Sequence, residues 1–412
     1  MRQLYLDAHN YKLFTSECRM PSQLNQFLSL RDFEAVARKR LPGPLYAYVS
    51  GAVEDEISVR ANEAAFRDYG FVPNVLVNVS QVATSVTLFG ETYAAPVGIA
   101  PMGIAALTSY RGDITLASAA EKAGIPCIMS GSSLIRLEEV VEQAPRTWFQ
   151  AYLPGNEGQI DALIDRIAAA GVRTLVLTVD TPVAANRENN IRAGFSTPLR
   201  PSVRLALDGI LHPRWLFGTF LKTLYRHGMP HFENNYATRG TPIVSKNVLR
   251  DFSDRGHLSW QHVACIRARW KGPLVIKGIL NPRDAVKARS VGADGIIVSN
   301  HGGRQLDGSV PPLMVLPAIA EAVPDITVML DSGVRRGTDV IKAMSLGAKA
   351  VFIGRPFNYA ASIAGEAGVS HAIELICAEV KRDLGLLGVP NLSELDNTSV
   401  RALREVLVGS AP

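Results

Sequence analysis

One short stretch, Ser299-Asn300-His301-Gly302-Gly303-Arg304-Gln305-Leu306-Asp307, sets a titratable imidazole three residues before a fixed cation. A base beside a guanidinium suits a substrate that carries a carboxylate and must lose a proton. The preceding Asp294-Gly295-Ile296-Ile297-Val298-Ser299 is an apolar, β-branched run between Gly292 and Gly302. It reads as a strand buried on both faces, as in a parallel sheet, with His301 just past its C-terminal end. Taken alone, the stretch is equally a surface loop with a stray His and Arg, so the rest of the chain has to decide.

Other chemistry-bearing residues follow apolar runs in the same way. Asp180, after Leu177-Thr178-Val179, could pair with His301, orienting its ring and favouring the imidazolium; the plain alternative is a helix cap before Thr181-Pro182. Arg187 offers a second carboxylate anchor, or is simply a loop arginine. Lys277 ends Val275-Ile276-Lys277, where a lysine facing inward needs a partner and suits stabilising a developing anion; otherwise it snorkels to solvent. Asp331-Ser332-Gly333-Val334-Arg335-Arg336-Gly337 and Gly354-Arg355-Pro356 combine glycine with arginine. Glycine lets backbone approach a phosphate, and arginine and helix N-termini supply positive potential.

The elements that must position these groups form a repeat from residue 95 onward. Strands are predicted at Pro96–Ala100, Ile125–Ser130, Thr147–Tyr152, Thr174–Val179, Leu274–Lys277, Gly295–Ser299, Thr327–Leu330 and Ala350–Ile353. Helices are predicted between them, with Gly124, Gly171, Gly292 and Gly347 where they stop. Eight β/α units predict a single (β/α)8 TIM barrel, whose functional residues sit at the C-terminal ends of the strands and whose phosphate site follows strands 7 and 8. No GxGxxG follows an early strand, which argues against a doubly wound dinucleotide fold. Residues 1–27 read as a leader, 28–390 as an α/β barrel domain with an N-terminal helical segment and a long insert at about 197–258, and 391–412 as a C-terminal tail.

The chain has 412 residues, 47% hydrophobic, enough for one large barrel. Its net charge of +5 is spread out rather than gathered in runs, which fits an anionic ligand or membrane surface better than nucleic acid. Four scattered cysteines, Cys18, Cys127, Cys265 and Cys377, form no disulfide framework and predict a reducing, cytoplasmic setting. Met1 to Asn10 has no apolar core, which predicts no signal peptide. No run approaches the length needed to span a bilayer, and no metal site is indicated.

The run Val298 to Asp307 resembles the signature of the FMN-dependent L-2-hydroxy acid oxidases and dehydrogenases, which include lactate dehydrogenase, mandelate dehydrogenase and glycolate oxidase. Leu41-Pro42 with Tyr46-Ala47-Tyr48, Trp148 to Tyr152, Thr178 to Pro182, Val275 to Gly278, Asp331 to Asp339 and Phe352 to Pro356 extend the resemblance over about residues 30–390. The resemblance implies oxidation of a 2-hydroxy acid to a 2-oxo acid with FMN as cofactor. It implies His301 as the base, Asp180 as its partner, Arg304 and Arg187 on the substrate carboxylate, and Tyr48 and Tyr152 on the substrate. Lys277, Ser130, Gln150, Thr178 and Ser299 would lie toward the flavin ring, with Met102 and Gly103 beside it. Asp331, Gly333, Arg335, Gly354 and Arg355 would hold the ribityl phosphate. Family members are often homotetramers.

Departures from the family pattern bear on substrate and acceptor. Pro101-Met102-Gly103 replaces the Pro-Thr-Ala common in oxidases, which favours a quinone or other non-oxygen acceptor over oxygen. Ser132 and Ala184 stand where larger side chains line the family's pocket, predicting room for a bulky or aromatic substrate. In the insert, Trp215 to His227 interleaves aromatics and leucines with Arg214, Lys222 and Arg226. That composition suits an interfacial helix on an anionic membrane, as the resemblance also implies, or else a lid or subunit contact.

Overall fold

Side chains alternate along a strand, so residues i and i+2 share a face. In eight parallel strands closed into a ring, that rule decides which residues fill the centre. A computed structural model describes residues 24–196, 203–244 and 255–403. Helices α1 (Asp32–Arg40), α2 (Gly43–Ser50) and α3 (Ile57–Ala64) come first, followed by β1 (Tyr69–Phe71) and a hairpin of β2 (Val86–Leu88) and β3 (Glu91–Tyr93). The barrel strands are β4 (Val97–Ile99), β5 (Ile128–Ser130), β6 (Trp148–Ala151), β7 (Leu175–Thr178), β8 (Leu274–Ile279), β9 (Gly295–Val298), β10 (Thr327–Asp331) and β11 (Val351–Ile353). They pair in the order β4-β11-β10-β9-β8-β7-β6-β5, and a parallel bridge between Ile99 and Cys127 closes the ring. This is the expected (β/α)8 barrel.

Between β4 and β7 lie α4 (Ala105–Thr108), α5 (Gly112–Ala123), α6 (Leu137–Gln143) and α7 (Glu157–Ala169). The connection after β7 carries α8 (Glu188–Arg192), α9 (Val203–Leu211), α10 (Pro213–Trp215) and, after a π-helical turn, α11 (Lys222–His227). Then come α12 (Trp260–Arg269), α13 (Pro282–Ser290), α14 (Pro312–Ala322), α15 (Gly337–Ser345) and α16 (Arg355–Leu387), which breaks at Ala364 and Gly365. The residues read as a tail contain β12 (Val400–Ala402), which pairs antiparallel with β1. The expected leader falls almost entirely outside the described residues. Among the described residues no helix is long and apolar enough to cross a membrane.

The barrel interior is layered. Ile128, Trp148, Val176, Val275, Ile297, Met329 and Phe352 form a buried apolar cluster with Leu88 and Tyr93 of the hairpin. The hairpin plugs the N-terminal end, where Trp148 donates to the Tyr93 hydroxyl at 3.0 Å and packs against Phe89 and Phe352. Two residues further along the strands the inward side chains turn polar. That second layer is the floor of the site.

Candidate active site

The polar layer is Ser130, Gln150, Thr178, Lys277, Ser299 and Asp331, each two residues after an apolar interior residue. The Lys277 ammonium donates to Ser299 Oγ at 2.9 Å and lies 3.0 Å from Asp331 Oδ2. Burial would lower its pKa, but Asp331 and Asp180 outweigh burial and hold it above the ordinary lysine value. Lys277 therefore stays a cation and does not snorkel. Ser130 Oγ donates to Gln150 Oε1 at 3.2 Å, while the buried Gln150 Nε2 has no hydrogen-bond partner among the described residues. An unmet buried donor costs about 1–3 kcal/mol, so a ligand acceptor is called for there.

The turn after β9 has three successive residues at positive φ: His301 at 58°, Gly302 at 67° and Gly303 at 72°. Glycine suits the last two because L side chains disfavour this region, and a Cβ on Gly303 would also lie 2.6 Å from the Val59 amide nitrogen. The turn is braced from α3. Asn300 and Asn62 exchange side-chain hydrogen bonds of 2.7 and 2.8 Å, and Asp307 accepts from the amides of Ile57 and Ser58 at the start of that helix. The acid that ends the motif is thus an anchor for α3.

The His301 ring is aimed by the two groups at its nitrogens. Nδ1 lies 2.9 Å from Asp180 Oδ1, and Nε2 lies 3.5 Å from the Tyr152 hydroxyl. Pairing with a carboxylate alone favours the imidazolium, as the sequence suggested. In the folded protein desolvation outweighs Asp180 and, with Lys277 and Arg187, holds the His301 pKa below its ordinary value. For Asp180 burial acts upward, but His301, Lys277 and the local backbone outweigh it and keep the carboxyl ionised. A neutral imidazole on an ionised carboxylate leaves Nε2 free to take a proton. Gly278, in a bulge of β8 at φ 107°, leaves the space for this pair, since a Cβ there would lie 2.7 Å from Asp180 Cβ.

Arginines line the same end of the barrel. Arg304 Nη1 donates to the Gly51 carbonyl at 2.5 Å, with its guanidinium 5.2 Å from the Tyr48 ring centre. Arg355 donates to the carbonyls of Val49 at 3.2 Å and Gly302 at 3.0 Å. Among the described residues neither has a carboxylate within salt-bridge distance, whereas Arg335 pairs with Glu63 at 3.1 Å. Burial first, then Arg355, push Arg304 down to about 10. Arg187 donates to Gln305 Oε1 at 2.5 Å and to the Arg304 carbonyl, and Gln305 in turn donates to the Asp180 carbonyl at 3.1 Å.

These groups surround one cavity of about 670 Å³. Tyr48, Met102, Gly103, Tyr152, Thr178, Arg187, Lys277, His301, Arg304, Asp331, Gly333, Arg335, Gly354 and Arg355 line it, as do Ser132 and Ala184. Asp180, Ser130, Gln150 and Ser299 lie one layer behind that wall: Asp180 bonds His301, Ser299 bonds Lys277 and the His301 amide, and Ser130 bonds Gln150. Gly333 lines the cavity at φ 88°, and a Cβ there would also meet the Asn62 carbonyl at 2.3 Å, so contact with α3 requires glycine as well. Gln305, Asn62, Asn300 and the carbonyls of Val49 and Gly51 were missed. Gln305 and Asn300 lie inside the quoted motif; backbone carbonyls carry no sequence signal at all.

The donor set fits a flavin mononucleotide. A buried lysine and an unmet amide donor lie in the polar layer, and Arg355, without a carboxylate partner among the described residues, lies at the strand 8 end. The model of the FMN-dependent dehydrogenase family matches residues 37–402. An L-lactate dehydrogenase of Pectobacterium atrosepticum is 40% identical over 374 residues, covering 90% of this chain and 95% of the relative. One of Yersinia pestis is 40% identical over 90% of this chain and 97% of its own length. Among solved structures, the monotopic membrane protein (S)-mandelate dehydrogenase superposes with a TM-score of 0.86 at 34% identity, covering 91% of this chain and 99% of the other. A mandelate oxidase variant with (S)-mandelic acid gives 0.75 at 32%, covering 91% and 98%. The chain belongs to the FMN-dependent 2-hydroxy acid dehydrogenase family.

Proposed function

We propose that this enzyme oxidises a bulky or aromatic L-2-hydroxy acid to the 2-oxo acid and passes the electrons to a quinone or another non-oxygen acceptor at a membrane surface. The observation that carries the reading is the His301–Asp180 pair at 2.9 Å, with His301, Arg304 and Arg187 lining one cavity. Arg304 and Arg187 bind the substrate carboxylate, their guanidinium forks matching its two oxygens. His301 Nε2 then faces the 2-hydroxyl carbon and takes the proton, and Asp180 stabilises the imidazolium that results. Tyr152, buried and with its pKa raised first by desolvation, remains a neutral donor beside Nε2. Tyr48 supports the carboxylate from the α2 side.

FMN, when bound, supplies the two-electron acceptor for the substrate. Lys277 would hold its ring edge with Gln150 in the layer behind, Met102 and Gly103 would back it, and Arg335, Arg355 and the Gly354 backbone would hold its phosphate. Asp331, an anion paired with Lys277, suits ribityl hydroxyls better than phosphate.

The bulky-substrate reading is supported by the small side chains of Ser132, Ala184 and Ala185 on the cavity wall, beside the apolar Val183, Ile191 and Phe195. L-lactate is the second reading, favoured by relatives named L-lactate dehydrogenase. Membrane docking is supported by the insert. Val203, Leu207, Ile210 and Leu211 of α9, then Phe217, Leu221 and Tyr225, are exposed at helical spacing. Arg214, Lys222 and Arg226 lie among them.

The test follows the flavin band anaerobically with L-mandelate, L-lactate and a long-chain L-2-hydroxy acid, then adds a soluble quinone or air. Fastest bleaching by L-mandelate or the long-chain acid, with return by quinone and slowly by air, is expected. Fastest bleaching by L-lactate moves the substrate to the second reading. Rapid return in air with peroxide overturns the acceptor assignment.

A further inference from the structure

Helix α2 is held at both ends by the connection after β7. Its own N-cap residue is Pro42, which makes no side-chain capping bond. The exposed amides of a first helical turn need acceptors. The one at Gly43 is met from far along the chain: Asp208 Oδ2, in α9, accepts from the Gly43 amide at 2.6 Å. Asp208 is itself held in place, since His212 Nδ1 lies 2.7 Å from its carbonyl and 3.5 Å from its Oδ1. Trp215 fixes the same segment to the barrel, donating to the Leu107 carbonyl in α4 at 2.7 Å. At the other end of α2, Asn189 Nδ2 donates to the Ala47 carbonyl at 3.0 Å.

What α2 carries makes this grip consequential. Tyr48 lies one residue before Val49, and the carbonyls of Val49 and Gly51 are acceptors for Arg304 and Arg355. The Arg304 guanidinium is therefore supported by α2 twice, through the Tyr48 ring and through the Gly51 carbonyl. Among the described residues His301 and Asp180 bond to each other, to Ser299, to Gln305 and to Tyr152, and no bond joins either to α2.

We infer that Asp208 is a positioning residue for substrate binding: it caps α2 from within the insert and thereby fixes the Arg304 anchor. This rests on the reading of Arg304 as the carboxylate anchor given above. A carboxylate at a helix N-terminus satisfies an amide and complements the helix dipole, and losing such a cap shifts a local equilibrium by roughly fivefold. The insert is thus part of the active-site frame on its inner face while its apolar residues point outward.

The experiment compares wild type, Asp208→Ala and Asp208→Asn as FMN-loaded full-length enzymes, by steady-state kinetics and by hydrogen exchange over residues 41–51. In Asp208→Ala the KM for the best hydroxy acid is expected to rise roughly fivefold with a smaller change in kcat, and the Gly43 amide to lose protection. Asn keeps the acceptor oxygen and is expected to restore both to within about twofold. Unchanged KM and unchanged Gly43 protection in the Ala variant overturn the inference. So does an Asn variant that behaves like Ala, because the role is then charge pairing with His212. If no hydroxy acid bleaches the wild-type flavin, the functional reading fails instead, and the exchange data still decide whether Asp208 caps α2.

Discussion

Two connections rise from the same end of the barrel on opposite plans. The one after β9 is short and braced at each polar position: Asn300 by Asn62, His301 by Asp180, Asp307 by the α3 amides. The one after β7 is long. It gives the site Asp180 and Arg187, then leaves a row of apolar side chains in water. Bracing suits proton transfer, where a small displacement of the base costs rate. Exposed apolar residues among basic ones suit a surface that binds reversibly. The contrast teaches that two connections at one barrel end can share the site yet differ in construction, one wholly braced and the other braced only on the side that meets the site.

The division can be broken most severely at His301. His301→Gln keeps a polar side chain but no base, and anaerobic flavin reduction is expected to slow by roughly 10²- to 10⁴-fold with flavin still bound. A stopped-flow rate equal to wild type would end the assignment of His301 as base. Membrane binding by the same variant should match wild type, and a parallel loss would show the two loops are not separable.

The reciprocal change is Phe217→Ser on the outer face of the insert. Removing one buried aromatic from an interface is expected to weaken sedimentation with anionic vesicles at least about tenfold, with little change in kcat on a soluble acceptor. Equal vesicle binding by variant and wild type would make the outer face a lid or subunit contact.

The smallest effect is a displacement along the pH axis. Because folding lowers the His301 pKa, the base form persists as pH falls through the ordinary imidazole value of 6.5, and kcat/KM should decline only below it. Asp180 acts to raise that pKa, so Asp180→Asn should move the acid limb lower still while reducing the rate. A limb centred at or above 6.5 in wild type would mean that Asp180 outweighs desolvation.

The barrel was legible because its signals are local. An apolar run ends, a polar residue follows two positions after an inward one, and a glycine stops the next helix. The strand ends pointed to Lys277 and Asp331 from local pattern, and the resemblance to Gln150 and Thr178; that they form one layer is seen only in the closed barrel. The braces were not legible. Asn62 and Asn300 are 238 residues apart, and nothing in either neighbourhood announces the other. The hairpin of β2 and β3 reads as an ordinary turn until the barrel it plugs is present. Likewise β12 is three residues long and becomes a strand only beside β1. The protonation of His301 depends on summed burial and charge, which no motif records.

The plugged floor has a consequence for traffic. Trp148, Tyr93 and Leu88 are each at most 2% exposed, so nothing passes through the N-terminal end of the barrel. Access to the cavity is therefore confined to the C-terminal end of the barrel, where Tyr48 and Phe195, with ring centres 4.7 Å apart, form part of the wall. With one end closed, any two ligands of the cavity compete for a single approach, and a bulky one in place would block the other.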